Sequence, residues 1–291
     1  FGGGEANVAV SLANYGLDSV YVTKLPSHAI GQAAVNALRS FGVDTSHIVR
    51  GGDRVGIYFL EKGASQRGSV CIYDRAHSAI QEAQPADFDW DAIFAGADWF
   101  HFTGITPALG PNVVEICKDA CRAAKARGVK ISCDLNYRGK LWTREQARAA
   151  MSELCRYVDV CISNEEDAKD VFDIEAENTD IYGGKLNKEG YKSVANTPIN
   201  STGCPSRSAI SRCPHPPRPA AHSSGGAGSP APTGTGGWPG RMPPTPPAVA
   251  PSVTSSRRRT SYTRIISFSF HGKRDWAFAQ SLSLFSQANR P

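Results

Sequence analysis

The chain has 291 residues, 41% of them hydrophobic and 20% charged, with 32 basic against 27 acidic side chains. That length can bury a sizeable core in one large domain or two small ones, and no apolar run reaches the roughly 18 residues that a membrane-spanning helix needs. The formal charge of +5 adds unlike parts: residues 1–195 carry 26 acidic and 21 basic residues, net −5, whereas residues 196–291 carry only Asp275 against 11 basic residues, net +10.

In chain order, short runs rich in Val, Ile, Tyr and Phe predict strands at Ser19–Leu25, Gly56–Glu61, Ser69–Tyr73, Asp98–Thr103, Val129–Asp134 and Asp159–Ser163. Helical patterns lie at Glu5–Tyr15, Gly31–Phe41, Asn112–Arg127, Thr143–Tyr157 and Asn164–Phe172. Thr143 followed by Gln146 has capping-box spacing, and Gly16 and Gly128 stand where helices end. Alternation of this kind predicts an α/β fold with a largely parallel sheet. The strands from about 47 to 74, with no helix between them, predict a small separate sheet or lid.

Beyond residue 195 the pattern stops. Fifteen of the 19 prolines fall there, and from 196 to about 256 composition predicts a disordered segment. Ser261–Phe270 alone alternates as a strand would, with no partner in sight. Arg257–Arg259 suits a basic extension that touches nucleic acid. Translation in a shifted reading frame also yields Arg, Pro, Ala, Gly and Ser with few acids, and this second reading is preferred for a reason given by the motifs.

The chain opens Phe1-Gly2-Gly3-Gly4-Glu5-Ala6-Asn7, with no initiator Met and no strand ahead of the first helix. Glycines before a helix let a ligand approach backbone that favours oxygen-rich groups, and Asn7 adds a polar group one turn in. Tyr58 lies on one lid strand, and Tyr73 and Arg75, two apart, share a face of the next. Thr103-Gly104-Ile105-Thr106-Pro107 and Asp134-Leu135-Asn136-Tyr137-Arg138 each follow a predicted strand, at the edge where open α/β sheets bind ligands. Ser163-Asn164-Glu165-Glu166-Asp167 follows another strand and opens a helix, and its acidic residues also suit an ordinary helix N-terminus.

In this order the segments resemble the ribokinase-like, PfkB-type sugar kinases, and within them the 2-keto-3-deoxygluconate kinase branch, over essentially all of residues 1–195. The resemblance implies a three-layer ribokinase-like sandwich with a small β lid, incomplete here and followed by the disordered tail. It implies phosphoryl transfer from ATP, with Mg²⁺, to a sugar acid, or to another sugar such as fructose. Gly2 and Gly3 would line the sugar site, Asn7 would bond a hydroxyl, and Tyr58 and Tyr73 would pack on the sugar. Arg75 and Arg138 would take its carboxylate, which a guanidinium fork suits. Asn136 and Arg138 would lie near the transferred phosphate. Asn164 and Asp167 match the family's Asn-x-x-Glu, with Asp for Glu, and would order Mg²⁺ and phosphate through water, with no direct metal ligand in the chain.

The family's catalytic Gly-x-Gly-Asp turn is absent from the 291 residues, and Gly51-Gly52-Asp53 lies between lid strands. Its Asp would take the sugar hydroxyl proton, so no catalytic residue is assigned and an impaired kinase is expected. That region should begin near residue 196, where composition breaks, so one frame loss accounts for both observations; a Gly-x-Gly-Asp turn is then expected in another frame of the coding DNA. The competing reading is a non-catalytic sugar-acid-binding protein with a basic tail on nucleic acid. Eight cysteines show neither Cys-x-x-Cys nor zinc spacing and suit buried thiols in a reducing cytoplasm. A small-molecule partner and pairing of copies through the lid are expected; membrane and nucleic-acid partners are not. His101 reads as a buried, satisfied histidine and Trp142 as packing.

Overall fold

A computed structural model describes residues 1–175, 187, 190, 207–210 and 263–268. Packing divides the chain into one unit, Phe1–Cys213 with Ser261–Pro291, and another, Pro214–Thr260, that falls outside the described residues.

Among the described residues the first unit has ten strands: β1 (Asp18–Val22), β2 (Lys24–Leu25), β3 (Val49–Arg50), β4 (Ile57–Glu61), β5 (Val70–Asp74), β6 (Trp99–Thr103), β7 (Lys130–Asp134), β8 (Val160–Ser163), β9 (Arg207–Ile210) and β10 (Arg264–Phe268). The helices described in it include α1 (Gly4–Asn14), α2 (Ala29–Arg39), α3 (Trp90–Ile93), α4 (Pro111–Ala126), α5 (Arg144–Leu154) and α6 (Glu165–Phe172). Six strands form one parallel sheet in the order β1-β10-β6-β7-β8-β9.

Both faces of that sheet are covered, as a parallel sheet requires. On one face, Phe100, Phe102, Ile131, Cys133, Ile266 and Phe268 pack in the cluster that holds Ile116 and Cys117 of α4, Met151 of α5 and Val171 of α6. On the other, Val8 and Leu12 of α1 meet Ile162 and Ile265. Ala6 and Ala9 of α1 join Tyr21 of β1 and Ala34, Val35 and Leu38 of α2. These are the three layers expected for residues 1–195. The Thr143 hydroxyl accepts from the Gln146 amide at 3.2 Å, and the Gln146 side chain accepts from the Thr143 amide at 2.9 Å, so the capping box forms at the start of α5.

Three expectations change. Val49–Arg50 pairs in parallel with β2, so it leaves the lid, which is the antiparallel hairpin β4–β5 alone. Arg207–Ile210, inside the stretch read as lacking regular structure, is the last strand of the main sheet beside β8. Ser261–Phe270 is not isolated: its residues 264–268 form β10, bonded on both sides in the middle of the sheet. Composition averages over a long window and hides a five-residue strand, and pairing with β1 and β6 is too remote in sequence for periodicity to reveal. Cys117, Cys121, Cys133, Cys155 and Cys161 are buried free thiols and Cys71 is half-buried; Cys204 and Cys213 lie outside the described residues. Among those residues no helix is long and apolar enough to cross a membrane.

Candidate functional site

Loops at the carboxyl ends of β6, β7 and β8, the start of α1 and the lid hairpin contribute the candidate residues. Glu5 organises the first of these junctions. It is fully buried, and its Oε1 accepts from the Thr103 amide at 3.1 Å, the Thr103 hydroxyl at 2.9 Å and the Thr106 hydroxyl at 2.8 Å. A buried carboxylate needs such donors, and here they tie the start of α1 to the turn after β6. The turn is close-packed: a Cβ on Gly104 would stand 2.1 Å from the Leu135 carbonyl oxygen, so only glycine lets the loops after β6 and β7 touch.

Gly2, Asn7 and Tyr58 converge. A Cβ placed on Gly2 would lie 3.8 Å from the Tyr58 hydroxyl and 3.9 Å from Asn7 Oδ1. Gly2 and Tyr58 also wall a cleft of about 390 Å³ with Phe1, His28, Asp53 and Arg54. Gly3 is buried at the N-cap of α1 and shapes the helix start.

On the lid, register sets Tyr58 opposite Tyr73, with ring centroids 6.5 Å apart. The Arg75 guanidinium carbon lies 3.9 Å from the Tyr73 ring centre, a cation–π contact that fixes the long side chain. Burial pulls the Arg75 pKa below the usual guanidinium range, with Arg138 pushing the same way and Tyr73, Cys71 and Glu5 opposing. Burial raises the Tyr73 phenol, Cys71 adds to this, and Arg75 and Arg138 oppose it. Tyr73, Arg75 and Arg138 thus act on one another through space, although they come from the lid and from the loop after β7.

That loop turns at Asn136, which is 5% exposed with φ 40°. The left-handed conformation suits Asn better than most side chains and lets the chain reverse above the sheet. Arg138 Nη1 donates to the Tyr137 carbonyl at 2.7 Å. Next to it, Asn164 caps α6, its Oδ1 accepting from the Asp167 amide at 2.6 Å. Asp167 is 6% exposed, and its carboxyl is pushed up to about 7 by burial first and then by Asp134, against the pull of Arg138 and the Tyr137 amide. Asn164 therefore fills the structural role that a helix N-terminus asks of it. The described residues contain no group of three or more His, Cys, Asp or Glu able to hold a metal, so they form no protein cage for Mg²⁺. A cation here would take its ligands from water or substrate.

His101 is fully buried and neutral, its pKa lowered to about 3 by burial, with Nδ1 3.0 Å from the Ser132 hydroxyl. Sequence reasoning passed over Glu5, the Arg54–Asp74 ion pair at 2.7 Å, and Asp134. Glu5 had one legible signal: it is the sole charge in the helical segment Gly4–Asn14.

An open parallel sheet whose carboxyl edge meets a glycine-rich helix start, under an aromatic and basic hairpin, defines an α/β small-molecule-binding fold with a lid. The chain belongs to the pfkB family of carbohydrate kinases, whose description matches residues 1–197. It is 36% identical over 177 residues to the 2-dehydro-3-deoxygalactonokinase of Haloferax volcanii, covering 60% of this chain and 55% of that protein. It is 33% identical over 171 residues to the 2-dehydro-3-deoxygluconokinase of Thermoproteus tenax, covering 57% and 51% respectively. The solved 2-dehydro-3-deoxygluconokinase of Thermotoga maritima is 55% identical with a TM-score of 0.63, over 67% of this chain and 58% of that one. The chain thus spans about half the length of the curated relatives it matches.

Proposed function

We propose that this chain binds a 2-keto-3-deoxy sugar acid between the start of α1 and the lid, with the carboxylate drawn to Arg75 and Arg138 and hydroxyls to Asn7 and the two tyrosines. The packing of Arg75 on Tyr73 carries this reading: the guanidinium stands 3.9 Å from the ring centre and Tyr73 faces Tyr58 across the hairpin, so one cation and two phenols are gathered at the lid, a donor set suited to a carboxylate and its neighbouring hydroxyls. Relatives named as kinases of 2-dehydro-3-deoxygluconate and of the galactonate counterpart support the substrate class.

Kinases of this family use ATP. In the longer proteins ATP with Mg²⁺ would supply the phosphoryl group, with Asn136, Arg138, Asn164 and Asp167 on the phosphate side. In these 291 residues no Gly-x-Gly-Asp turn supplies the base, so the reading is binding without transfer. Incubating the purified chain with ATP, Mg²⁺ and 2-keto-3-deoxygluconate tests this. No phosphorylated sugar is expected, alongside saturable binding of the sugar acid by calorimetry. Turnover would contradict the first part and absence of binding the second.

A further inference from the structure

The main sheet is continuous only because β10 fills the slot between β1 and β6. Arg264–Phe268 pairs residue by residue with Asp18–Val22 on one side, and Ile265–Ser267 pairs with Trp99–His101 on the other. The strand is bonded along both edges, yet it reaches the slot from the far end of the sequence, joined to β9 through residues 211–263. Its side chains belong to both faces. Ile265 enters the α1 cluster, and Ile266 and Phe268 enter the α4 cluster, all at 2% exposure or less. Phe268 stands edge-on to Phe88 and Trp90, with centroids 5.4 and 5.5 Å away.

The mouth of the slot is acidic and reads the first residue. The Arg264 amide donates to Asp98 Oδ2 at 2.8 Å, and the Asp98 amide donates to the Arg264 carbonyl at 2.9 Å. The guanidinium lies 3.9 Å from an Asp18 oxygen and 3.6 Å from an Asp44 oxygen. The slot therefore recognises a basic residue followed by apolar side chains at the second, third and fifth places. The fit is incomplete at the fourth. Ser267 is fully buried, and its hydroxyl has no hydrogen-bond partner among the described residues. A five-residue strand with an orphaned hydroxyl at its fourth place is held by main-chain pairing, two hydrophobic faces and one charge, none of which depends on its tether to the rest of the chain.

We infer that the slot between β1 and β6 is an exchangeable strand acceptor, and that the Arg264–Phe268 segment of a second copy can occupy it in place of the chain's own. A fluorescent peptide covering residues 261–270 stands in for the second copy's strand. The acceptor is the full chain carrying Ile266→Asp, whose own strand cannot bury that position. Expected are a melting temperature below that of the parent, saturable peptide binding, and a rise in melting temperature with peptide. The peptide carrying Ile266→Asp should not bind, and the peptide carrying Arg264→Glu should bind about fivefold more weakly. A variant that melts like the parent without peptide would overturn the inference, because 264–268 would not be holding the sheet. Should Ile266→Asp prevent folding altogether, the full chain carrying Arg264→Glu keeps its apolar residues. Parent-sequence peptide should then label it to a greater extent than it labels the parent chain. Equal labelling, or none, would show that the strand cannot be supplied in trans.

Discussion

Glu5 and Thr103, 98 residues apart in sequence, meet at one oxygen: Glu5 Oε1 accepts from both the amide and the hydroxyl of Thr103. Thr106 adds a third donor to the same atom. This carboxylate joins the glycine-rich start of α1 to the turn after β6, and it also acts through space on Arg75 of the lid.

Removing it leaves its donors without an acceptor. Glu5→Ala is expected to destabilise the fold by roughly 3 kcal/mol, and Glu5→Gln, which keeps an acceptor oxygen, by less than half of that. Urea unfolding of the two variants beside the parent measures both. Equal losses would mean that the carboxylate serves as filler.

Asp167 and His101 make stability depend on pH in opposite senses. Asp167 titrates near 7 in the fold against an ordinary 3.8, so between those values the native state holds more protons than the unfolded state. Stability from this group is therefore greatest at low pH and declines as pH rises through the window. His101 titrates near 3 against an ordinary 6.5, so the unfolded state holds more protons between those values and stability declines as pH falls. Asp167→Asn should gain on the parent steadily as pH rises from about 4 to 7, and His101→Gln should gain on it as pH falls from 6.5 toward 3. Parallel curves for parent and variants in unfolding titrations would refute both assignments.

The lid presents an apolar outer face. Alternation along the hairpin sends Tyr58 and Tyr73 to one side and pairs Phe59 with Ile72 on the other, at 59% and 61% exposure. Val70 and Ile57 extend the patch. Such a surface favours pairing of copies or aggregation. Phe59→Ser should lower the sedimentation-average mass at a given concentration without changing sugar-acid affinity. An unchanged mass distribution would show that the hairpin does not mediate association.

The α/β alternation of residues 1–195 was legible because each helix and strand there carries its own period, and because Thr143 and Gln146 signal a cap that the structure forms. Tyr73 and Arg75 were legible as neighbours because two residues apart on a strand means one face. Glu5 was not, since its partners lie beyond the reach of any local pattern. Asn164 was half legible: as a cap it is what the helix start demands, and nothing in spacing separates that role from ligand binding. β10 was the largest omission. Its five residues, Arg264–Phe268, have strand character, but their place in the sheet is decided by Asp98, Asp18 and the apolar faces of a domain that precedes them by more than half the chain.

On the proposed function, Arg75 and Arg138 draw the carboxylate of a sugar acid beneath the lid. Calorimetric titration of the purified chain with 2-keto-3-deoxygluconate, repeated with Arg75→Met, tests it most directly. Saturable binding by the parent is expected, with a loss of about tenfold or more in affinity for the variant, as for removal of one charge-assisted partner. Equal affinities for the two proteins, or no binding by the parent, would contradict it.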